Sequence, residues 1–126
     1  LEPRTVLLAE DDAMLASLLK YRLEKEGYLV SVMEDGQQVK KAITQQLPDA
    51  IICDIMMPYI SGIELVDYLR NHLKSDIPMI LISSASNEEN VVSALELGAN
   101  DFLAKPMSPA ELLVRVSREI NRYYCT

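Results

Sequence analysis

Four carboxylates in this chain stand where they could share one cation. The run Val6-Leu7-Leu8-Ala9 is apolar and stops in Glu10-Asp11-Asp12, and the run Ala50-Ile51-Ile52-Cys53 is apolar and stops in Asp54. Grouped acids repel. At about 4 Å and an effective dielectric near 20, two like charges cost roughly 4 kcal/mol. A bound cation removes that cost. Ligands that are all oxygen suit a hard ion, and Mg2+ typically takes one or two carboxylates and keeps several waters; Mn2+ accepts the same donors. Asp11 and Asp54 are the direct candidates, with Glu10 reaching the ion through water. The backbone carbonyl of Met56, just beyond Asp54, can add another oxygen. Asp12 points on into the next segment and reads as a helix cap.

A carboxylate beside Mg2+ can also act as a nucleophile toward phosphorus. Phosphoryl transfer then needs positive charge and hydrogen-bond donors around the equatorial oxygens. Two further residues offer these. Lys105 stands just after a short apolar run and before Pro106, and Ser83 ends the run Met79-Ile80-Leu81-Ile82. If all four runs are parallel strands, Glu10, Asp11, Asp54, Ser83 and Lys105 fall at one edge of one sheet.

The intervening segments have the pattern such a sheet requires. Thr5 to Ala9 reads as a first strand, a short continuous apolar run of the kind covered on both faces. A helix follows with Leu15, Leu18, Leu19 and Leu23 at helical spacing, closed by Gly27. Tyr28 to Met33 is the second strand, and Asp35-Gly36 a turn. Val39, Ala42, Ile43 and Gln46 mark a weakly amphipathic second helix that stops before Pro48. Asp49 to Asp54 is the third strand. The stretch 55–62 cannot be regular, given Pro58 and Gly62. Ile63, Val66, Leu69 and Leu73 define the third helix, Met79 to Ser83 the fourth strand, Asn87 to Leu97 the fourth helix, ended by Gly98, and Asp101 to Ala104 the fifth strand. Ser108-Pro109-Ala110-Glu111 is a helix start with Ser at the cap, Pro at the first position and Glu at the third. Leu112, Leu113, Val116 and Ile120 turn that fifth helix inward. Strict alternation implies an α/β fold, a parallel five-stranded sheet with helices on both faces. In a flavodoxin-like order, 2-1-3-4-5, the strand order reverses between strands 1 and 3, where open sheets bind ligands. Those strands carry the acids.

Composition sets the outer limits. The chain has 126 residues, 49% of them hydrophobic and 25% charged, as expected of one globular domain with an ordered core over about residues 4–123 and connecting sequence at its flanks. No apolar run approaches the ~20 residues of a membrane helix. The net charge of −7 argues against direct nucleic-acid binding, which needs clustered Lys and Arg. The first residues are polar and contain Pro3, unlike a signal peptide, and the missing initiator Met is expected of an excised or processed chain. Cys53 and Cys125 have no metal spacing and read as reduced thiols of a cytoplasmic protein. His72 reads as a surface residue near the end of the third helix.

Taken together, these pieces resemble the receiver domains of two-component response regulators, which share the CheY-like fold. The matching pieces are Glu10-Asp11-Asp12, Asp54-Ile55-Met56-Met57-Pro58 with Gly62, Ser83-Ser84, and Gly98-Ala99-Asn100-Asp101-Phe102 running to Lys105-Pro106. The resemblance implies that Asp54 is phosphorylated by a histidine kinase or phosphotransfer protein, that Glu10, Asp11, Asp54 and the Met56 carbonyl organise Mg2+, and that Lys105 contacts the phosphoryl group. It places Ser83 at the switch hydroxyl and Phe102 at the switch aromatic. It further implies that these residues reshape the surface of the fourth helix, fifth strand and fifth helix, which an output domain or partner would read. The family usually has Thr at the Ser83 position and often Tyr at the Phe102 position.

The C-terminal third is similar to the DNA-binding subgroup, whose receivers dimerise through that same surface. Asp101, Glu111 and Arg115 occupy its salt-bridging positions, while Val91 stands where a basic partner is expected. The competing reading is a Mg2+-dependent phosphohydrolase that also forms a phosphoaspartate. Such enzymes carry a second acid two residues past the nucleophile, for leaving-group protonation. That position here is Met56.

Overall fold

The computed structural model describes residues 2–84 and 88–125, and of residue 88 the backbone alone. Five strands and five helices alternate: β1 (Thr5–Ala9), α1 (Ala13–Lys25), β2 (Leu29–Met33), α2 (Gly36–Gln45), β3 (Ala50–Asp54), α3 (Gly62–Asp67), β4 (Met79–Ser83), α4 (Glu88–Leu97), β5 (Asp101–Ala104) and α5 (Pro109–Tyr124). The sheet is parallel throughout, in the order β2-β1-β3-β4-β5. The expected architecture and strand order are therefore present.

The period-2 alternation of each strand divides the core in two. Leu7, Ile51, Cys53, Met79 and Leu81 face α2, α3 and α4, where they meet Val39, Ile43, Leu65, Leu69 and Ala94. Val6, Leu8, Ile52, Ile80 and Ile82 face α1 and α5, where they meet Leu19, Leu23, Leu112, Val116 and Ile120. β3 and β4 are buried along their whole length, which fixes their register: a one-residue slip would exchange the two faces. Leu18, expected to face inward, is 47% exposed; Leu15, Leu19 and Leu23 fill the available stripe.

Several boundaries differ from the sequence reading, each for a local reason. Asp35-Gly36 is a helix start, not a turn, because Asp35 Oδ1 accepts the Gln38 amide at 2.9 Å and caps α2. Likewise Gly62 does not break structure. It opens α3 behind the Ser61 cap, whose hydroxyl accepts the Glu64 amide. Tyr28 and Asp49 lie just outside their strands. The Tyr28 hydroxyl meets the Ser117 hydroxyl at 2.8 Å, and Asp49 Oδ2 accepts the Thr5 amide at 2.7 Å. Asn87, read as the start of the fourth helix, lies outside the described residues. The caps expected from Asp12 and Ser108 are present, and Gly27 and Gly98 follow their helices at φ 99° and 112°.

The third helix is not α-helical to its end. Tyr68–His72 form a π turn, in which the Leu73 amide reaches the Tyr68 carbonyl five residues back at 3.0 Å. On this turn sits Arg70, whose guanidinium donates to the carbonyls of Gly98 (2.9 Å), Ser75 (2.9 Å) and Ile77 (2.7 Å) and to Asn100 Oδ1 (2.9 Å). One side chain thus ties the end of α3 to the entrance of β4, the end of α4 and the entrance of β5.

A second clasp closes the opposite edge of the sheet from Asp54. The Tyr124 hydroxyl donates to the Asp49 carbonyl at 2.6 Å, and the Arg4 guanidinium lies 4.2 Å from the Tyr124 ring centre.

Removing the donors of Arg70 while keeping its stem, as in Arg70→Met, leaves three backbone carbonyls short of a partner. We expect a loss of about 3 kcal/mol, read as a lower urea midpoint at unchanged m-value. Burial first, then the charge of Asp49, pushes the Tyr124 hydroxyl up to about 12. A phenol whose folded pKa exceeds its unfolded value contributes stability fully below the unfolded value, near 10, and loses it as pH rises toward 12. Tyr124→Phe should cost about 1 kcal/mol at neutral pH and flatten the decline in thermal stability above pH 10. An equal decline in both proteins would contradict this.

Candidate phosphoacceptor site

The carboxyl ends of β1, β3, β4 and β5 bring the sequence-selected residues to one edge. Glu10 follows β1 directly. Its amide donates to the Met33 carbonyl at 3.1 Å, and its side chain is buried. Asp54 ends β3 and is 5% exposed. Asp11 is exposed beside them, and one carboxylate oxygen from each of Glu10, Asp11 and Asp54 lies within 4.8 Å of the others. Asp12 turns away to cap α1, accepting the amides of Met14 and Leu15 at 3.0 and 3.2 Å.

Lys105, one residue past β5, supplies the counter-charge. Its amide donates to the Ser83 carbonyl at 2.8 Å, fixing it against the end of β4, and its peptide bond to Pro106 is cis. Its Nζ lies 2.6 Å from Asp54 Oδ2 and 2.6 Å from Glu10 Oε1. The contact with Asp54 is a hydrogen bond. That with Glu10 is a close ion pair without hydrogen-bond alignment, and Glu10 Oε1 has no hydrogen-bond partner among the described residues. The other Glu10 oxygen accepts the Asp12 amide at 3.0 Å. Asp54 Oδ1 accepts the Met56 amide at 2.9 Å. Both oxygens of Asp54 are therefore oriented before any ligand arrives.

The electrostatics follow from this crowding. Burial pushes the Glu10 carboxyl above its ordinary range, opposed by the Lys105 ammonium and the Asp12 amide. Burial pulls the Lys105 ammonium down, but its close contacts with the Asp54 and Glu10 carboxylates outweigh it and leave the ammonium above its ordinary value. The Cys53 thiol, adjacent to Asp54 in sequence, is pushed up strongly by burial and then by the charge of Asp54, so it stays protonated. Three carboxylates against one ammonium leave an excess of two negative charges on an all-oxygen donor set. A divalent hard cation fits that excess.

Ser83 is fully buried at the end of β4. Phe102 is half-buried on β5 and packs against the core on the α3 and α4 side. The Met56 side chain is 61% exposed. Asp101 accepts both oxygens' worth of contact from Arg115 (3.0 and 2.8 Å) and a further bond from Arg118 (3.2 Å), all within the chain. Arg115 also reaches Glu111 at 3.4 Å. His72 is exposed and stacks on Tyr68, with ring centres 4.8 Å apart, away from the acids.

Sequence reasoning missed the backbone that holds the loop after Asp54. The Gly62 amide donates to the Ile55 carbonyl at 2.9 Å, and a β-carbon on Gly62 would stand 2.9 Å from the Asp54 carbonyl oxygen. The only signal for this close approach was the glycine itself.

Comparison with known proteins agrees with this geometry. The chain is 38% identical over 120 residues to the phosphate regulon transcriptional regulatory protein PhoB of Pseudomonas aeruginosa, covering 94% of this chain and 52% of that protein. It is 35% identical over 119 residues to the alkaline phosphatase synthesis transcriptional regulatory protein PhoP of Bacillus subtilis, covering 94% and 49%. The chain thus spans about half the length of these curated relatives. Among solved structures, the receiver domain of Francisella response regulator 1452 superposes with a TM-score of 0.89 at 35% identity, covering 95% of this chain and 98% of that one. Residues 6–117 match the response regulator receiver domain family, and the chain belongs to that family, the receiver domains of two-component response regulators.

Proposed function

We propose that Asp54 accepts a phosphoryl group from the phosphohistidine of a histidine kinase or phosphotransfer protein. The observation that supports this most is the Lys105 ammonium, 2.6 Å from both Asp54 and Glu10. It holds the acceptor oxygen in place and puts positive charge where a phosphoryl oxygen would arrive. Asp11, Asp54, Glu10 and the Met56 carbonyl are the residues that would hold Mg2+, or Mn2+. When bound, the ion neutralises charge on the phosphoryl oxygens. An Asp54 oxygen bonds to phosphorus as the donor's phosphorus–nitrogen bond breaks, and the electron pair leaves with the imidazole. The domain promotes its own phosphorylation and its reversal, and acts otherwise as a signalling switch.

In this reading Ser83 supplies the hydroxyl that meets the phosphoryl group, and Phe102 follows its movement. The face built by α4, β5 and α5 then changes for an attached output domain or a partner protein. On that face Asp101 is already held by Arg115 and Arg118 of its own chain. For a second copy it leaves the exposed Val92 and Leu95 of α4 and Val114 of α5. We read the whole of residues 1–126 as one receiver domain, working in the cytoplasm and making no direct contact with nucleic acid. Among the described residues no helix is long and apolar enough to cross a membrane. The phosphohydrolase reading has no support at Met56, whose side chain is neither acidic nor buried.

Incubation with Mg2+ and a small acyl phosphate should add one phosphoryl group to the wild type and none to Asp54→Asn, by intact-mass spectrometry. Equal modification of both would sink the assignment. Lys105→Ala should slow phosphoryl uptake about 100-fold, the usual effect of deleting one donor to developing negative charge. An unchanged rate would remove Lys105 from the transfer step.

A further inference from the structure

Gly36 opens α2 and contributes no group to the carboxylate site, yet it touches the loop that follows Asp54. Its amide donates to the Pro58 carbonyl at 3.0 Å. A β-carbon at this position would stand 2.0 Å from the carbonyl oxygen of Ile60 and 2.7 Å from the Ile60 β-carbon. Carbon and oxygen approach ordinarily to about 3.3 Å. Because the obstacle is backbone, any side chain here must drive the helix and the loop apart by about an ångström.

That loop, residues 55–61, is also held at its start by β4, where the Ile55 amide bonds to the Ile82 carbonyl at 2.9 Å, and by the buried side chains of Ile55 and Met57. The Met57 amide bonds to the Ile55 carbonyl (3.1 Å), Ile60 to Pro58 (2.9 Å), and Gly62 to Ile55 (2.9 Å), while the Met56 amide bonds to Asp54 Oδ1. Tyr59 has φ 70°, a conformation a bulky residue takes only when its surroundings impose it. α2 is independently fixed to the core by Val39 and Ile43, both buried. Gly36 is therefore where α2, a rigid element besides β4, meets the loop.

We propose that Gly36 is a positioning residue for the cation site. Its bare α-carbon lets α2 seat against the loop, and that seat sets the Met56 backbone relative to Asp54. The inference rests on the reading of the Met56 carbonyl as a metal ligand. Mg2+ holds its ligands at about 2.0–2.1 Å in a strict octahedron, so an ångström of displacement in one ligand breaks its contact with the ion.

The test is Mg2+ titration of the wild type, Gly36→Ala and Val39→Ala, followed by backbone amide shifts. Val39→Ala weakens the same helix while leaving the bare α-carbon of Gly36 against the loop. Gly36→Ala should bind Mg2+ at least ten-fold more weakly, the usual range for a residue supporting a metal ligand, and its Met56 and Met57 amide shifts should already differ without metal. Val39→Ala should stay within about two-fold of wild type. Wild-type affinity in Gly36→Ala, or an equal loss in Val39→Ala, overturns the proposal while leaving the cation site intact. A wild type that binds no Mg2+ overturns both. Should Gly36→Ala fail to fold, hydrogen exchange of the wild type decides: Mg2+ should slow exchange of the Gly36 amide several-fold, and no change there, with Met56 responding, overturns the proposal.

Discussion

Lys105 meets two buried carboxylates at once, and the arrangement of the sheet follows from what that contact demands. Glu10 and Asp54 come from strands that are neighbours in space but lie more than forty residues apart in the chain. Lys105 comes from a third segment, anchored by its amide to the end of β4. Only a parallel sheet delivers all three groups to one edge, because parallel strands share a carboxyl end. Removing a partner from such a cluster leaves charge stranded in a poorly solvated place, which costs far more than the intact cluster contributes. The cluster is thus better understood as a constraint on geometry than as a source of stability.

Much of this was legible in the sequence because it rests on side-chain type. Apolar runs that end in Glu10-Asp11, Asp54, Ser83 and a following Lys105 mark strand ends and site at once, and strict strand–helix alternation leaves few topologies. What could not be read rests on backbone. Arg70 gathers four acceptors, three of which are main-chain carbonyls, and a carbonyl leaves no trace in residue identity. Gly36 and Gly62 were legible as glycines and misread as a turn and a breaker. The local rule that glycine ends regular structure competes with a tertiary one, that glycine marks a close approach, and here the second prevails at both positions. Leu18 shows the same limit on a helix: its spacing suits burial, but the stripe is already filled by its neighbours.

The loop between β3 and α3 joins these two levels. Asp54 presents its carboxylate to the site through its side chain, while its carbonyl oxygen crowds Gly62 at the start of α3. The same residue is therefore gripped from both sides of its α-carbon, by Lys105 and the Met56 amide on the side chain and by α3 on the main chain. Little freedom remains for the Asp54 carboxylate to drift, which suits the proposed nucleophile, whose attack must be in line.

The clasp between Tyr124, Asp49 and Arg4 brings the two ends of the fold together at the amino edge of the sheet. Strands of five residues separate that edge from the acids by about 16 Å. Sequence joined to either end would thus emerge beside sequence joined to the other, and away from Asp54. It also makes the fold a natural subject for circular permutation: a short bridge from Tyr124 to Arg4, with new ends opened in a surface loop, would preserve every strand pairing. The order in which the elements occur along the chain is then separable from the order in which they pack, and only the second is needed to assemble the site.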